Sequence, residues 1–264
     1  MEIQLNTIYT EDCRSGLKKI PDNFVDLIVT DPPYGIKFGK NEGLYNRPKG
    51  GILQGYVEVP DYQYEQFSID WITECFRVLK DHGSIYIVSG DRNLEFILKA
   101  LRSAGFKVLN HLVWQYQFGV HTKKKFVTSH NLILFAVKNP KSYRFNRYCR
   151  FDQFTKTVHG KSANYKDRES VWYVSKEKWI KKITTPTKLP LKLVEKMIQY
   201  SSHAGDVILD PFLGSGQTAI AGKGLGLNYL AFEKNPVFSS FAKYRLSQDR
   251  YLVGLEEGKL LNLK

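Results

Sequence analysis

Four consecutive residues, Asp31-Pro32-Pro33-Tyr34, place one carboxylate, two carbonyls on proline-stiffened backbone and one phenol ring within reach of a single small group. Proline fixes its own φ and restricts its predecessor, so the carbonyl directions are set in advance. The set suits an exocyclic amino group of a nucleobase, a poor nucleophile because its lone pair is delocalised into the ring. Acceptors aimed at its two hydrogens favour the pyramidal, nucleophilic form and stabilise positive charge developing during transfer. Asp31 and the Pro32 carbonyl would be those acceptors, with Tyr34 stacked on an extruded base. A capped turn at a strand end is the plainer alternative for the same residues.

A second group lies near the other end of the chain, in Asp210-Pro211-Phe212-Leu213-Gly214-Ser215-Gly216. Glycine at 214 and 216 lets the backbone turn tightly and approach a ligand, having no Cβ to clash. A helix opening there offers free N–H groups to a carboxylate. About 20 residues on, Glu233 follows the run Tyr229-Leu230-Ala231-Phe232, where an acidic side chain accepts hydrogen bonds from ribose hydroxyls. A tight turn alone would explain the two glycines, but with Glu233 so spaced they point to a nucleoside-containing ligand. Gly216 is followed by Gln217-Thr218 and not by Gly-Lys, so this is no phosphate-cradling loop.

Both groups must be held by strands, since ligands of open α/β sheets bind beyond the strands' carboxyl ends. The apolar patterns predict strands over 7–9, 25–30, 84–89, 108–117, 132–137, 206–209 and 229–232. Helices are expected over 12–20, 62–79, 94–104, 189–200, 216–224 and 236–246, with turns at 81–83 and at Lys123-Lys124-Lys125. The alternation predicts a doubly wound, mostly parallel sheet in a single domain of 264 residues. Two stretches lack periodicity: 35–61, read as a catalytic-site loop, and 140–184, read as an inserted recognition region.

Charge locates the surface for a polyanion. Residues 121–200 hold 19 Lys+Arg against 5 Asp+Glu, while the remaining 184 hold 20 against 21, so the net +13 resides in one block. A plain solvated face would spread its charge, whereas a phosphate-binding face gathers it. Rings accompany the cations (Tyr143, Phe145, Tyr148, Phe151, Phe154, Tyr165, Trp172, Tyr173, Trp179), as phosphate contact with base stacking requires. Lys123, Lys124, Lys125, Arg144, Arg147 and Arg150 are the candidate phosphate contacts here, with Lys37 and Lys40 in the 35–61 loop. The three cysteines (Cys13, Cys75, Cys149) fit neither a metal-ligand nor a disulfide pattern and favour a reducing cytosol. No apolar run reaches the roughly 18 residues of a membrane span, and no secretory signal opens the chain.

The two motifs in this order resemble the β-class amino-methyltransferases of DNA, in which the catalytic motif precedes the recognition region and the cofactor motif comes last. Asp12-Cys13, Phe76-Arg77-Val78-Leu79-Lys80-Asp81-His82-Gly83, Val113-Trp114 and Thr187-Lys188-Leu189-Pro190 also match the family's pattern. The resemblance implies a circularly permuted, Rossmann-like class I methyltransferase fold and S-adenosylmethionine as cofactor. It implies a cofactor site of Asp12, Cys13, Asp31, Thr187, Lys188, Asp210, Phe212, Gly214, Ser215, Gly216 and Glu233. Asp-Pro-Pro-Tyr members mostly methylate the 6-amino group of adenine in double-stranded DNA. Cytosine N4, a base in RNA and an inactive DNA-binding module stay open beside adenine. The family also brings a homodimer and a cognate restriction endonuclease as partners, neither specified by any residue above. Three positions depart from its pattern: Gln217 where threonine is usual, Thr185 where histidine commonly precedes Pro-Thr, and Asn131 where histidine is usually followed by glutamate.

Overall fold

Val25–Thr30, the first long apolar run, forms strand β2 and is buried at all six positions. From Leu27 onward the sides alternate, Leu27 and Val29 facing one core and Ile28 the other, as the two-residue repeat of a strand requires. A strand buried on both faces belongs inside a sheet covered by helices on each side. The structure, a computed structural model, describes residues 3–35, 59–117, 123–124, 126–177 and 188–248. The 36–58 part of the catalytic-site loop, Lys37, Lys40, Lys125, Trp179, Thr185 and Thr187 lie outside the described residues.

The other strands are β1 (Thr7–Tyr9), β3 (Leu79–Ser89), β4 (Lys107–Gln115), β5 (His130–Val137), β6 (Val171–Tyr173), β7 (Val207–Asp210) and β8 (Asn228–Phe232). They form one sheet in the order β1-β8-β7-β2-β3-β5-β4-β6. Only β5 runs against its neighbours, so the sheet is mostly parallel, as the alternating pattern predicts. One face carries α1 (Cys13–Gly16), the 3-10 turn Leu17–Lys19, α2 (Asp61–Val78) and α3 (Leu94–Ala104), which bury Leu17, Trp71, Ile72 and Leu101. The other carries α5 (Leu191–Ser201), α6 (Gln217–Gly224) and α7 (Pro236–Ser247), which bury Val194, Met197, Ile220 and Ala242. Among the described residues no helix is long and apolar enough to cross a membrane.

The turn expected at 81–83 is absent, because strand β3 starts at Leu79 and runs through it. Val25 pairs with Leu79 but Leu27 with Ser84, so the extra residues of β3 form a bulge. Polar contacts fix that bulge: Lys80 Nζ (2.8 Å) and His82 Nε2 (2.9 Å) both reach the buried Asp26 carboxylate. At Gly83 a Cβ would stand 2.9 Å from the Asp26 carbonyl, so the close approach excludes any larger residue.

The 140–177 stretch, expected to be without regular structure, contains β6 and a short helix α4 (Ala163–Asp167). Elements of three and five residues are too short to leave a period in the sequence. Polar side chains dock this stretch to α5. Asn146 Nδ2 donates to the carbonyls of Gln199 (2.9 Å) and Ser202 (2.7 Å), while Asn164 Nδ2 ties the stretch to itself through the carbonyls of Arg147 (2.8 Å) and Phe151 (2.7 Å). Asp167 accepts from Arg150 Nε (3.0 Å), Lys196 Nζ (3.1 Å) and the Tyr200 hydroxyl (2.6 Å). Burial alone would raise the Asp167 carboxyl; the Tyr200 hydrogen bond and the Lys196 charge outweigh it and hold the group below the ordinary carboxylate value.

Replacing Asp167 by alanine leaves the Lys196 ammonium, whose side chain is 9% exposed, without its carboxylate. The expected cost is about 3 kcal/mol in urea denaturation, since an uncompensated buried charge is worse than either a pair or none. Proteolytic cleavage should rise within 140–177 in the same variant.

Candidate active site

The two motifs meet at the carboxyl edge of adjacent strands. Strand β2 pairs in parallel with β7 (Leu27 with Ile208, Ile28 with Leu209), which brings Asp31 and Asp210, far apart in the chain, to the same edge of the sheet. Thr30 Oγ1 donates to Asp210 Oδ1 at 2.8 Å, and the Phe212 amide donates to the same oxygen at 3.0 Å. Burial pushes the Asp210 carboxyl up to about 6, against the opposing effect of these hydrogen bonds.

Asp210 leads into the glycine turn. Gly214 (φ +55°) and Gly216 (φ +95°) both adopt the left-handed conformation, and a Cβ on Gly216 would meet Ala242 at 3.1 Å. Among the described residues a Cβ on Gly214 would meet nothing within 4 Å, so on their side the turn borders space of the kind a ligand fills. Glu233, just past the end of β8, accepts from the amides of Gly214 (2.8 Å) and Asn235 (2.7 Å). Burial still raises the Glu233 carboxyl above its ordinary value. Phe212 packs edge-on against Trp71 with centroids 5.2 Å apart. Ser215 is buried.

Asp12 follows β1 at the same edge, since Tyr9 pairs with Phe232. It caps α1 through the Arg14 amide (2.9 Å), and hydrogen bonding to the Arg14 guanidinium lowers its carboxyl to about 2. Cys13 is buried, which pushes its thiol up. Lys188 Nζ lies 2.7 Å from Glu177, its side chain only 2% exposed. An open glycine turn, a carboxylate at the end of the next strand and a nearby capped helix fit a nucleoside cofactor with an amino-acid tail. Among the described residues no three His, Cys, Asp or Glu side chains gather as metal ligands.

The Asp31-Pro32-Pro33-Tyr34 turn is clamped from three sides. The Tyr64 hydroxyl on α2 donates to the Pro33 carbonyl (2.6 Å), and Asn93 Nδ2 donates to the Tyr34 carbonyl (2.8 Å). Pro32 is buried beneath. The Tyr34 hydroxyl donates to Asp31 Oδ1 (2.6 Å) and takes a long contact from Asn131 Nδ2 (3.4 Å), whose own Oδ1 faces the Tyr116 hydroxyl (3.3 Å). Tyr64, Asn93 and Thr30 escape sequence reasoning. Tyr64 reads as one more apolar position of a helical stripe, and Thr30 as the end of a strand. Asn93 carries the signature of a helix cap, yet makes no side-chain cap bond to α3, its amide being drawn to Tyr34.

The candidate phosphate contacts divide. Lys123 and Lys124 are exposed in the connection between β4 and β5, and His130 pairs with Gln115 at the edge shared with the catalytic turn. Arg144 and Arg150 are engaged by carboxylates of the protein itself. Arg144 ion-pairs with Asp206, and its amide donates to the His82 carbonyl, both at the amino ends of their strands. Arg150 binds Asp167 and Gln199 near the end of α5. Arg147, between them, is exposed, with its guanidinium 5.2 Å from the Tyr148 ring centroid. The sequence places these arginines in a basic block, but only the fold shows which carboxylates claim them.

The folded carboxyl of Asp210, near 6, exceeds its unfolded value near 4, so the group holds its proton more tightly when folded. Its contribution therefore weakens the fold as pH rises from 4 to 6 and is constant above. Asp210→Asn keeps an acceptor for Thr30 and Phe212 and removes the charge. Between pH 4 and 7 the variant should gain roughly 2–3 kcal/mol on wild type in urea denaturation. A difference that stays flat across that window would show that Asp210 does not titrate there.

Residues 25–243 match the family model described as DNA methylase, of the N6/N4 methyltransferases. The type II methyltransferase M.HpaI of Haemophilus parainfluenzae is 33% identical over 242 residues, 89% of this chain and 72% of that protein. The DNA adenine methyltransferase YhdJ of Escherichia coli (strain K12) is 31% identical over 261 residues, 92% of this chain and 83% of that protein. The fold is similar to that of M1.HpyAVI in its SAM complex, with a TM-score of 0.64 at 22% identity over 91% of this chain and 98% of the other. With its paired motifs at one sheet edge and its family model spanning the core, the chain belongs to the N6/N4 DNA methylase family.

Proposed function

We propose that the protein is a site-specific DNA methyltransferase acting on the 6-amino group of adenine, with S-adenosylmethionine as methyl donor. The observation that carries this reading is the Thr30–Asp210 hydrogen bond, which sets the catalytic turn beside the glycine turn. When bound, S-adenosylmethionine supplies a methyl group already activated on a sulfonium. The residues that would hold it are Asp12, Asp210, Phe212, Gly214, Ser215, Gly216 and Glu233, with Lys188. The chain's contribution is alignment and electrostatics. Asp31 and the Pro32 carbonyl accept from the two amino hydrogens, and Tyr34 stacks on the extruded base. The Tyr34 hydroxyl donates to Asp31 Oδ1, and the carboxylate keeps further acceptor sites for the amino group. No covalent cysteine is needed, and burial of Cys13 keeps its thiol protonated.

Lys123 and Lys124 belong to the DNA-facing edge, and 140–184 is the recognition region in this reading. The enzyme works in the cytoplasm, where its DNA is; a second copy and an endonuclease reading the same site are its partners there.

Transfer of labelled methyl from S-adenosylmethionine to unmethylated duplex DNA, followed by digestion to nucleosides, should place the label in 6-methyladenine. Label in cytosine would overturn the target base, and label only in RNA the substrate. Asp31→Ala should lower turnover by about 1,000-fold or more while calorimetry still detects cofactor binding. Tyr34→Phe, which keeps the ring and frees Asp31, should lose less than about tenfold, and Tyr34→Ala much more.

A further inference from the structure

Gln217, the first residue of α6, is 4% exposed and uses every part of its amide. Its Oε1 accepts from an Arg245 terminal nitrogen at 2.7 Å. Its Nε2 donates to the Leu189 carbonyl at 2.6 Å and to Glu177 Oε2 at 3.2 Å. The other terminal nitrogen of Arg245 donates to the Ser215 carbonyl at 2.5 Å, at the centre of the glycine turn. One buried guanidinium thus spans the turn and the residue that follows it. Glu177 is equally engaged. Its Oε1 accepts from the Leu191 amide (2.6 Å), capping α5 behind a proline that has no side chain to offer, and its Oε2 pairs with Lys188 (2.7 Å). Four separated segments, at 177, 188–191, 215–217 and 245, converge on a single side-chain amide.

A buried amide with all its partners rigidifies whatever it joins, and one with a partner missing is costly. Threonine, with one short hydroxyl, could not reach Arg245 and Glu177 together; only the longer amide does.

We infer that Gln217 is a positioning residue for the cofactor turn, held in that role by Arg245 and Glu177, so that the end of the 140–177 stretch sets the shape of the turn receiving the methionine end of S-adenosylmethionine. This rests on the assignment of 214–216 to the cofactor. Removing the amide should loosen the Ser215 carbonyl and weaken cofactor binding, without touching the Asp31 turn.

The test is calorimetric titration of the full-length protein with S-adenosylmethionine, alongside steady-state kinetics, DNA binding by fluorescence anisotropy and thermal melting. Gln217→Ala and Gln217→Thr should raise the cofactor Kd about tenfold or more. The turnover number at saturating cofactor and the DNA affinity should stay within about threefold of wild type. Gln217→Glu keeps the acceptor for Arg245 but sets a carboxylate against Glu177, and should bind as weakly. Adding Glu177→Gln to it exchanges amide and carboxylate, and should recover most of the loss. A role in stability alone would lower the melting temperature of all variants while leaving Kd within twofold, and that result overturns the inference. So does a double variant no tighter than Gln217→Glu. If Gln217→Ala does not fold, Gln217→Thr and the exchange carry the test. Absence of any binding heat from the wild-type protein would instead sink the cofactor assignment.

Discussion

The pairing of β2 with β7 is the constraint on which everything else here depends, and very little backbone enforces it. Two residue pairs, Leu27 with Ile208 and Ile28 with Leu209, make up the whole register. A slip of one residue would turn every side chain of β2 to the wrong face. Side chains prevent that by stapling the pair at both ends. At the amino end Asp26 accepts from the Val207 amide at 2.9 Å, and at the carboxyl end Thr30 donates to Asp210 at 2.8 Å. Both staples are buried polar groups in an otherwise aliphatic strand, so any other register would strand them without partners.

Once that register is set, the helices finish the site. Tyr64 arrives from α2 and Asn93 from the start of α3, and together they take the Pro33 and Tyr34 carbonyls. The rigidity of the two prolines is thereby extended to the residue that follows them. Glu233 does the equivalent for the glycine turn by holding the Gly214 amide. Each motif consists of a short stretch whose intrinsic conformation is restricted, plus one or two distant side chains that fix its remaining freedom. Such preorganisation is what a reaction relying on alignment, without a covalent intermediate, requires.

The strands that position chemistry were legible because they are aliphatic runs ended by Asp31 and Asp210, and the helices because their apolar faces repeat. The bulge at 81–83 was not, since Asp-His-Gly is the composition of a turn and only the Asp26 carboxylate makes it part of a strand. Charge was legible as a block but not residue by residue: Arg144 and Arg150 count toward the surplus, and only the fold shows that Asp206 and Asp167 pair with them. Asn131 and Gln217 stood out in the sequence as departures from a family pattern. Their contacts, to the Tyr34 hydroxyl and to Arg245 and Glu177, depend on strands and loops far apart in the chain.

The position of β2 in the middle of the sheet also bears on how the chain is made. Its partner β7 lies about 180 residues downstream, as the Thr30–Asp210 separation shows. At the usual elongation rates of roughly 5–20 residues per second, one edge of a mostly aliphatic strand waits on the order of 10–40 s on the ribosome. Neither the catalytic turn nor the glycine turn is complete in that interval. A nascent chain therefore cannot modify DNA, but it does present an unpaired strand edge to chaperones and to its neighbours. The long-range pairing that builds the active centre makes its biogenesis slow and dependent on protection.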